Sequence, residues 1–255
     1  MIALIRKLRR RMLAEGRFSK YLAYAVGEIV LVVIGILIAL QINNYNDARE
    51  ERARELRYLV NIRADLVANI SEMDRYLATR TELVASAQRI IRHFEGEAIE
   101  DLSAFNADGV GIYSWQRYYQ INNTFRELIN SGNFALLSND RIKHGLLDLE
   151  SQYLKMKGEE DHFRFDAETL LYNPLYESMD LTPIVMDFAY RVSNGQAGRD
   201  GMLSEQTFAD YLQNRKLKNG FVMTALEFET MNEQMREMKR LSQSLMDEID
   251  AELQR

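Results

Sequence analysis

The residues best spaced for metal chemistry lie between Glu159 and His162, where the chain reads Glu-Glu-Asp-His. This run contains one Glu-x-x-His pair, which places a carboxylate and an imidazole on one helix face. Helical bundles that bind two metal ions need two such pairs and two further glutamates. Neither His93 nor His144 follows a glutamate at this spacing. The run is therefore interpreted as a solvated charged face, and we expect no metal and no cofactor.

Three other patterns could support chemistry, and each has a plainer structural interpretation. Met231, Met235 and Met238 offer thioether ligands for copper, but their helical spacing without a nearby His or Cys is typical of core packing. The glycine-rich run at 194–201 lacks the pattern of a phosphate-binding loop. The aromatic run at 115–119 could line a ligand pocket, although amphipathic core packing is the favoured interpretation. The chain has no cysteine, which excludes disulfides and thiol chemistry, and its three histidines suggest no Ser–His–Asp arrangement. We therefore predict no catalytic residue and a non-enzymatic protein.

An apolar stretch near the N-terminus, Tyr21 to Ile42, reads YLAYAVGEIVLVVIGILIALQI and carries one charge, Glu28. As a helix it is long enough to cross a hydrocarbon core of about 30 Å. A cleavable signal peptide would have a shorter apolar region that ends in an A-x-A-like site, which this chain lacks. The stretch therefore predicts an uncleaved transmembrane helix.

The charges on either side of the span are unequal. Residues 1–20 are rich in Lys and Arg, whereas in residues 43–57 the arginines are balanced by acids. Cationic flanks stay in the cytoplasm, so we expect residues 43–255 on the far side of a bacterial inner membrane, in the periplasm. A basic amphipathic segment suits the surface of anionic membrane lipid, with an ordinary positively charged flank as the alternative. The candidate lipid-surface residues are Arg6, Lys7, Arg9, Arg10 and Arg11.

The helical face of Glu28 also carries Ala25, Gly35 and Ala39. A carboxylate inside a membrane normally faces protein or water, and a small-xxx-small pair lets helices approach closely. This face predicts association with a second copy, giving a homo-oligomer, or with another membrane protein. In the alternative interpretation Glu28 reaches the inner surface or pairs with a basic residue of the flank.

Residues 18–47, FSKYLAYAVGEIVLVVIGILIALQINNYND, resemble a family of uncharacterised bacterial membrane proteins that is catalogued as a domain of unknown function. Its members share a KYLxYAxGEIxLVVxGILIALQINNWN-like span, and Tyr45 stands where they have Trp. Residues 125–153, FRELINSGNFALLSNDRIKHGLLDLESQY, look like a second, more loosely kept segment of the family. The resemblance implies a basic N-terminus, a membrane span and a helical remainder. It implies no activity and no catalytic residue.

The rest of the chain predicts an all-α fold, an antiparallel bundle of about four helices. The apolar spacing at Leu56, Leu59, Leu66, Ile70, Met73, Leu77, Val84, Ala87, Ile91 and Phe94 forms a seam that Arg63 and Arg80 interrupt. A loop is expected at 95–101 and an irregular region at 173–201. The predicted helices are 43–94, continuing from the span, 114–130 with Gly132 as its stop, 139–172 ended by Pro174, a short helix from Ser204, and 216–253.

Three functions are compatible with this organisation. The leading hypothesis is an accessory or scaffold subunit that associates with itself or with a partner. The second is a periplasmic small-molecule sensor that signals through another protein, and the third is a subunit of a channel-forming ring. The net charge of −6 and the absence of a basic patch beyond the span argue against nucleic acid as a partner.

Overall fold

A computed structural model describes residues 18–255 of the chain. These residues are helical almost throughout and contain no strand, which confirms the predicted all-α fold class. The chain divides into two compact units, Met1–Arg57 and Tyr58–Arg255. Helix α1, Phe18–Phe94, contains the apolar stretch and continues without a break as predicted.

The remaining helices follow α1 in chain order. They are α2 (Leu102–Tyr113), α3 (Asn123–Asn130), a 3-10 turn (Asn133–Leu136), α4 (Asp140–Ala167), a π turn (Glu168–Tyr172), α5 (Asn173–Ser178), α6 (Leu181–Val192), α7 (Glu205–Gln213) and α8 (Arg215–Leu253).

Three long helices organise the unit from Tyr58 onward: the second half of α1, α4 and α8. Helix α8 runs antiparallel to both of the others, so that its C-terminal end lies beside the starts of their packed segments. The side-chain pairs that show this register are Arg63–Asp250, Asp74–Lys239 and Glu95–Lys218 between α1 and α8, and Arg141–Glu248 and His162–Glu227 between α4 and α8.

The hydrophobic core follows the helical spacing predicted for α8, but only part of the seam predicted for α1. Of that seam Leu59, Leu66, Met73 and Ala87 are buried, and the other six positions are partly buried. The helical spacing of α8 predicts a seam of eight apolar residues, of which seven are buried and Leu241 is partly buried. The seven are Phe221, Phe228, Met231, Met235, Met238, Leu245 and Ile249. In α1 the buried positions recur three and four residues apart, which is the spacing of a packed helix face. The prediction that Arg80 interrupts this seam is wrong, because Arg80 is itself one of the core residues.

The prediction of a helix over 114–130 is also wrong. Residues 115–122 are not helical, and helix α3 begins only at Asn123. The missed helix α2 lies before this segment, where the Asp101 carboxylate caps it by accepting from the Ala104 N–H at 2.9 Å. Two glycines inside α2, at 109 and 111, weaken its helix signal in the sequence. Gly132, with φ of 73°, ends α3 as predicted.

Both prolines lie inside helical segments, so the prediction that Pro174 ends a helix is wrong. The π turn directly before Pro174 gives the Asn173 N–H a bond to the Glu168 carbonyl, five residues back, and the chain stays helical to Ser178. Pro183 lies in the first turn of α6, where backbone N–H groups have no intrahelical partner. The region expected to be irregular therefore contains α5 and α6.

Candidate functional site

The candidate association face lies on α1, within the unit that ends at Arg57. Residues 25–39 are α-helical, so Ala25, Glu28, Gly35 and Ala39 share one side of the helix, as predicted. Glu28, Gly35 and Ala39 are exposed, and a methyl group added at Gly35 would meet no atom within 4 Å. The face is therefore open to a second helix.

Among the described residues, one helix is long and apolar enough to cross a membrane, and none of its most apolar window is buried. Such a surface is unusual for a protein surrounded by water, because a large contiguous apolar patch normally marks contact with lipid or protein. The predicted lipid-surface residues Arg6, Lys7, Arg9, Arg10 and Arg11 lie outside the described part of the chain.

A second polar site holds the non-helical residues 115–122 inside the unit from Tyr58 to Arg255. The amide of Asn69 binds both backbone groups of Ile121, donating to its carbonyl at 2.7 Å and accepting from its N–H at 2.8 Å. The same amide oxygen accepts from the Tyr118 hydroxyl at 3.2 Å. Tyr76 donates to the Arg117 carbonyl at 2.7 Å. Side chains of α1 thus replace the hydrogen bonds that a helix would give this segment.

A buried ion pair completes that polar site. The side chains of Arg80 and Glu160 are 2% and 1% exposed, and the guanidinium donates to the carboxylate. The same Glu160 oxygen accepts from the Tyr118 N–H at 2.9 Å, and the Arg80 guanidinium carbon lies 5.5 Å from the centre of the Tyr76 ring. Within the described chain, Nε and Nη1 of Arg80 have no hydrogen-bond partner. This pair crosslinks α1, α4 and the segment between α2 and α3.

The aromatic run at 115–119 packs mainly into the core, in agreement with the structural interpretation of it. The Trp115 ring lies edge-on to Phe163 with centroids 4.8 Å apart, and its N–H donates to the Tyr172 hydroxyl at 3.0 Å. Tyr118 is buried, while Tyr119 is 74% exposed. Burial raises the pKa of the Tyr118 hydroxyl far above its ordinary value.

Sequence analysis missed a cluster formed by His162 and Asp166 of α4 with Glu227 of α8. One ligand atom from each residue lies within 4.8 Å of the others, and His162 Nε2 is 3.4 Å from a Glu227 oxygen. Glu227 is 8% exposed, and within the described chain neither of its oxygens has a hydrogen-bond partner. The pKa of Glu227 is raised to about 7. The main cause is burial, the Asp166 carboxylate adds to it, and the His162 imidazole acts in the opposite direction.

The geometry also separates the residues of the Glu-x-x-His run. Glu160 faces the core and Arg80, whereas the exposed His162 points toward Glu227. The sequence gives no signal for the partner of His162, because Glu227 is distant in the chain and only the antiparallel packing of α4 on α8 brings it close. The methionines at 231, 235 and 238 are fully buried among core residues, as core packing requires.

The described chain is thus an all-α protein with one helix near its N-terminus that is long and apolar enough to cross a membrane. Its sequence matches the family of unknown function DUF6090 over residues 28–159, more than half of the chain, and the protein belongs to this family. The match includes Glu28, Asn69 and Arg80. No curated protein and no solved structure matches the chain.

Proposed function

We propose that the protein is a single-pass bacterial inner-membrane protein, with its N-terminus in the cytoplasm and residues 43–255 in the periplasm. It acts without enzymatic activity of its own, as an accessory or scaffold subunit that associates through the face of Ala25, Glu28, Gly35 and Ala39. The observation that carries the proposal is a carboxylate beside small residues on a span that no other described part of the chain covers.

The energetic argument begins with Glu28. An acidic side chain at the centre of a membrane helix costs about 2.5 to 3.5 kcal/mol on insertion scales. Contact with a second helix replaces lipid around the carboxyl group with hydrogen-bonding partners. Because Gly35 and Ala39 have almost no side chain, two backbones can approach closely enough for this contact to form.

The continuity of helix α1 supports the proposed role as an accessory or scaffold subunit. Helix α1 contains the apolar stretch and also the first core segment of the unit from Tyr58, and no loop interrupts it between them. The chain that carries the association face therefore also carries the folded unit from Tyr58.

The test is the mass of the full-length protein in mild detergent, compared among variants. We expect Glu28→Leu and Gly35→Ile to lower the oligomeric mass, or to release a copurified membrane protein. Val30→Leu and Leu37→Ile, on the opposite face of the same helix, should leave the mass unchanged. Glu28→Leu makes the span more apolar, so a loss of association would not reflect failed insertion. An unchanged mass in both test variants would refute the proposed face.

A further inference from the structure

We propose that His162, Asp166 and Glu227 bind one divalent transition-metal ion of the zinc class and thereby link α4 to α8. The proposal concerns the unit from Tyr58 to Arg255 and does not depend on the function proposed for the membrane helix. It rests on the position of the three side chains and on the buried carboxylate of Glu227, whose oxygens accept no hydrogen bond from the described residues.

The three side chains lie close enough for small side-chain movements to bring them onto a single ion. His162 and Asp166 are four residues apart on α4, so they project from the same side of that helix. Two bonds of about 2.1 Å at a tetrahedral angle place their ligand atoms about 3.4 Å apart. The distance between His162 Nε2 and the Glu227 oxygen is 3.4 Å, and the three ligand atoms lie within 4.8 Å of one another.

The burial of Glu227 is the second, independent observation. A buried carboxylate normally has hydrogen-bonding or charged partners because its desolvation is costly. Glu227 is 8% exposed, and in the described chain neither oxygen accepts a hydrogen bond. The His162 imidazole is the nearest protein group, at 3.4 Å, and a metal ion between the two would bind both of them.

The charge of the cluster also favours a dication. The groups that face Glu227 are the carboxylates of Asp166 and Glu159 and the imidazole of His162. Even if the His162 imidazole is protonated, the carboxylates of the cluster carry more negative charge than the imidazole carries positive charge. A divalent cation with a neutral imidazole balances the two carboxylates that would ligate it.

The donor set selects the type of ion. A set of one imidazole and two carboxylates suits zinc and similar first-row transition metals, whereas calcium requires six to eight oxygen ligands. Three protein ligands leave a fourth tetrahedral position for water. His162 is exposed, so the ion can enter from the solvent.

The experiment is a calorimetric titration of the full-length protein in detergent micelles with ZnCl2, after removal of metals with EDTA. We expect saturable binding of one ion per chain. His162→Ala and Glu227→Gln should weaken it by at least about tenfold, because changes even in the outer shell of a metal site cost 10- to 100-fold. The matched control is His144→Ala, an exposed histidine on the same helix, which should bind like the parent.

Two further measurements keep the result interpretable. The emission of Trp115, the one tryptophan of the chain, should be the same in all variants before metal is added, which shows that the fold is intact. Co2+ should bind with a visible absorption band that His162→Ala abolishes. The proposal is overturned if Zn2+ does not bind saturably, or if binding survives His162→Ala, and the cluster is then a histidine–carboxylate ion pair.

Discussion

The buried Arg80–Glu160 pair predicts that removing one charge is more damaging than removing both. Its side chains are 2% and 1% exposed, so neither charge can regain water when its partner is lost. Breaking a buried pair in this way costs about 3 to 5 kcal/mol in the free energy of unfolding. We therefore expect Arg80→Met and Glu160→Gln each to lose an amount in this range.

The double variant should recover much of that loss. With both changes the core contains no uncompensated charge, and the amide of a glutamine can still accept from the Tyr118 N–H that Glu160 binds. The double variant should still lose about 1 to 2 kcal/mol in the free energy of unfolding, because the hydrogen bond between the two side chains is gone and the packing is altered. The coupling energy of the pair should thus be several kcal/mol, and the double variant should be more stable than either single variant.

The assay is urea unfolding of the full-length protein in micelles, followed by Trp115 fluorescence and helical circular dichroism. Trp115 reports on this region because it packs against Phe163, three residues after Glu160. The control is the surface pair of Glu237 and Arg240, with side chains 42% and 64% exposed, whose coupling should be about 0.5 kcal/mol or less. Additive losses at Arg80 and Glu160, or a coupling as small as the control, would refute the reasoning.

Three other predictions concern the packing and the topology of the chain. Asn69→Leu should lower the free energy of unfolding by about 2 to 4 kcal/mol, because it leaves both backbone groups of Ile121 unsatisfied. Gly220→Ala should lower the free energy of unfolding by about 1 to 3 kcal/mol, because its new methyl carbon would lie 2.5 Å from Leu171. Gly158→Ala has open space around the new methyl group and should stabilise α4 by about 0.5 to 1 kcal/mol. In a chain without native cysteines, Tyr119→Cys should react with a membrane-impermeant maleimide in cells with a permeabilised outer membrane, whereas Ala3→Cys should not.

Each of these predictions has a clear contradicting result. A parent-like urea midpoint for Asn69→Leu would mean that residues 115–122 do not depend on side chains of α1. Equal stability of the Gly220 and Gly158 variants would contradict the close packing of α8 on the π turn. Labelling at position 3 without labelling at position 119 would place the folded unit in the cytoplasm.

The helical spacing of apolar residues and the capping residues at helix ends account for the parts of the fold that the sequence predicts correctly. The α8 seam from Phe221 to Ile249 follows from helical spacing alone. Asn139 caps α4 by accepting from the Arg141 N–H, and Ser204 caps α7 with a capping box, both from local chemistry. These features need only residues that are near one another in the chain.

The errors arise where distant residues decide the local structure. Residues 115–122 contain no glycine or proline that would stop a helix, but Asn69 and Glu160 satisfy their backbone in another conformation. Arg80 looks like a gap in the seam because its neutralising partner lies on another helix.

The same limit applies to the sites. The face of Glu28, Gly35 and Ala39 can be read from helical spacing, because one helix contains all three residues. The cluster of His162, Asp166 and Glu227 cannot, since its third member is supplied by the packing of α8 against α4. A side chain on a separate helix becomes visible only when the register between the two helices is known.

The most direct test of the proposed function is the mass of the full-length protein extracted in native lipid discs from its own membrane. The chain weighs 29.7 kDa. Association through the span predicts a particle that contains several copies of the chain, or one that contains a second membrane protein, and in either case a smaller particle for Glu28→Leu. A particle with a single copy of the chain and no other protein would contradict association through the Glu28 face.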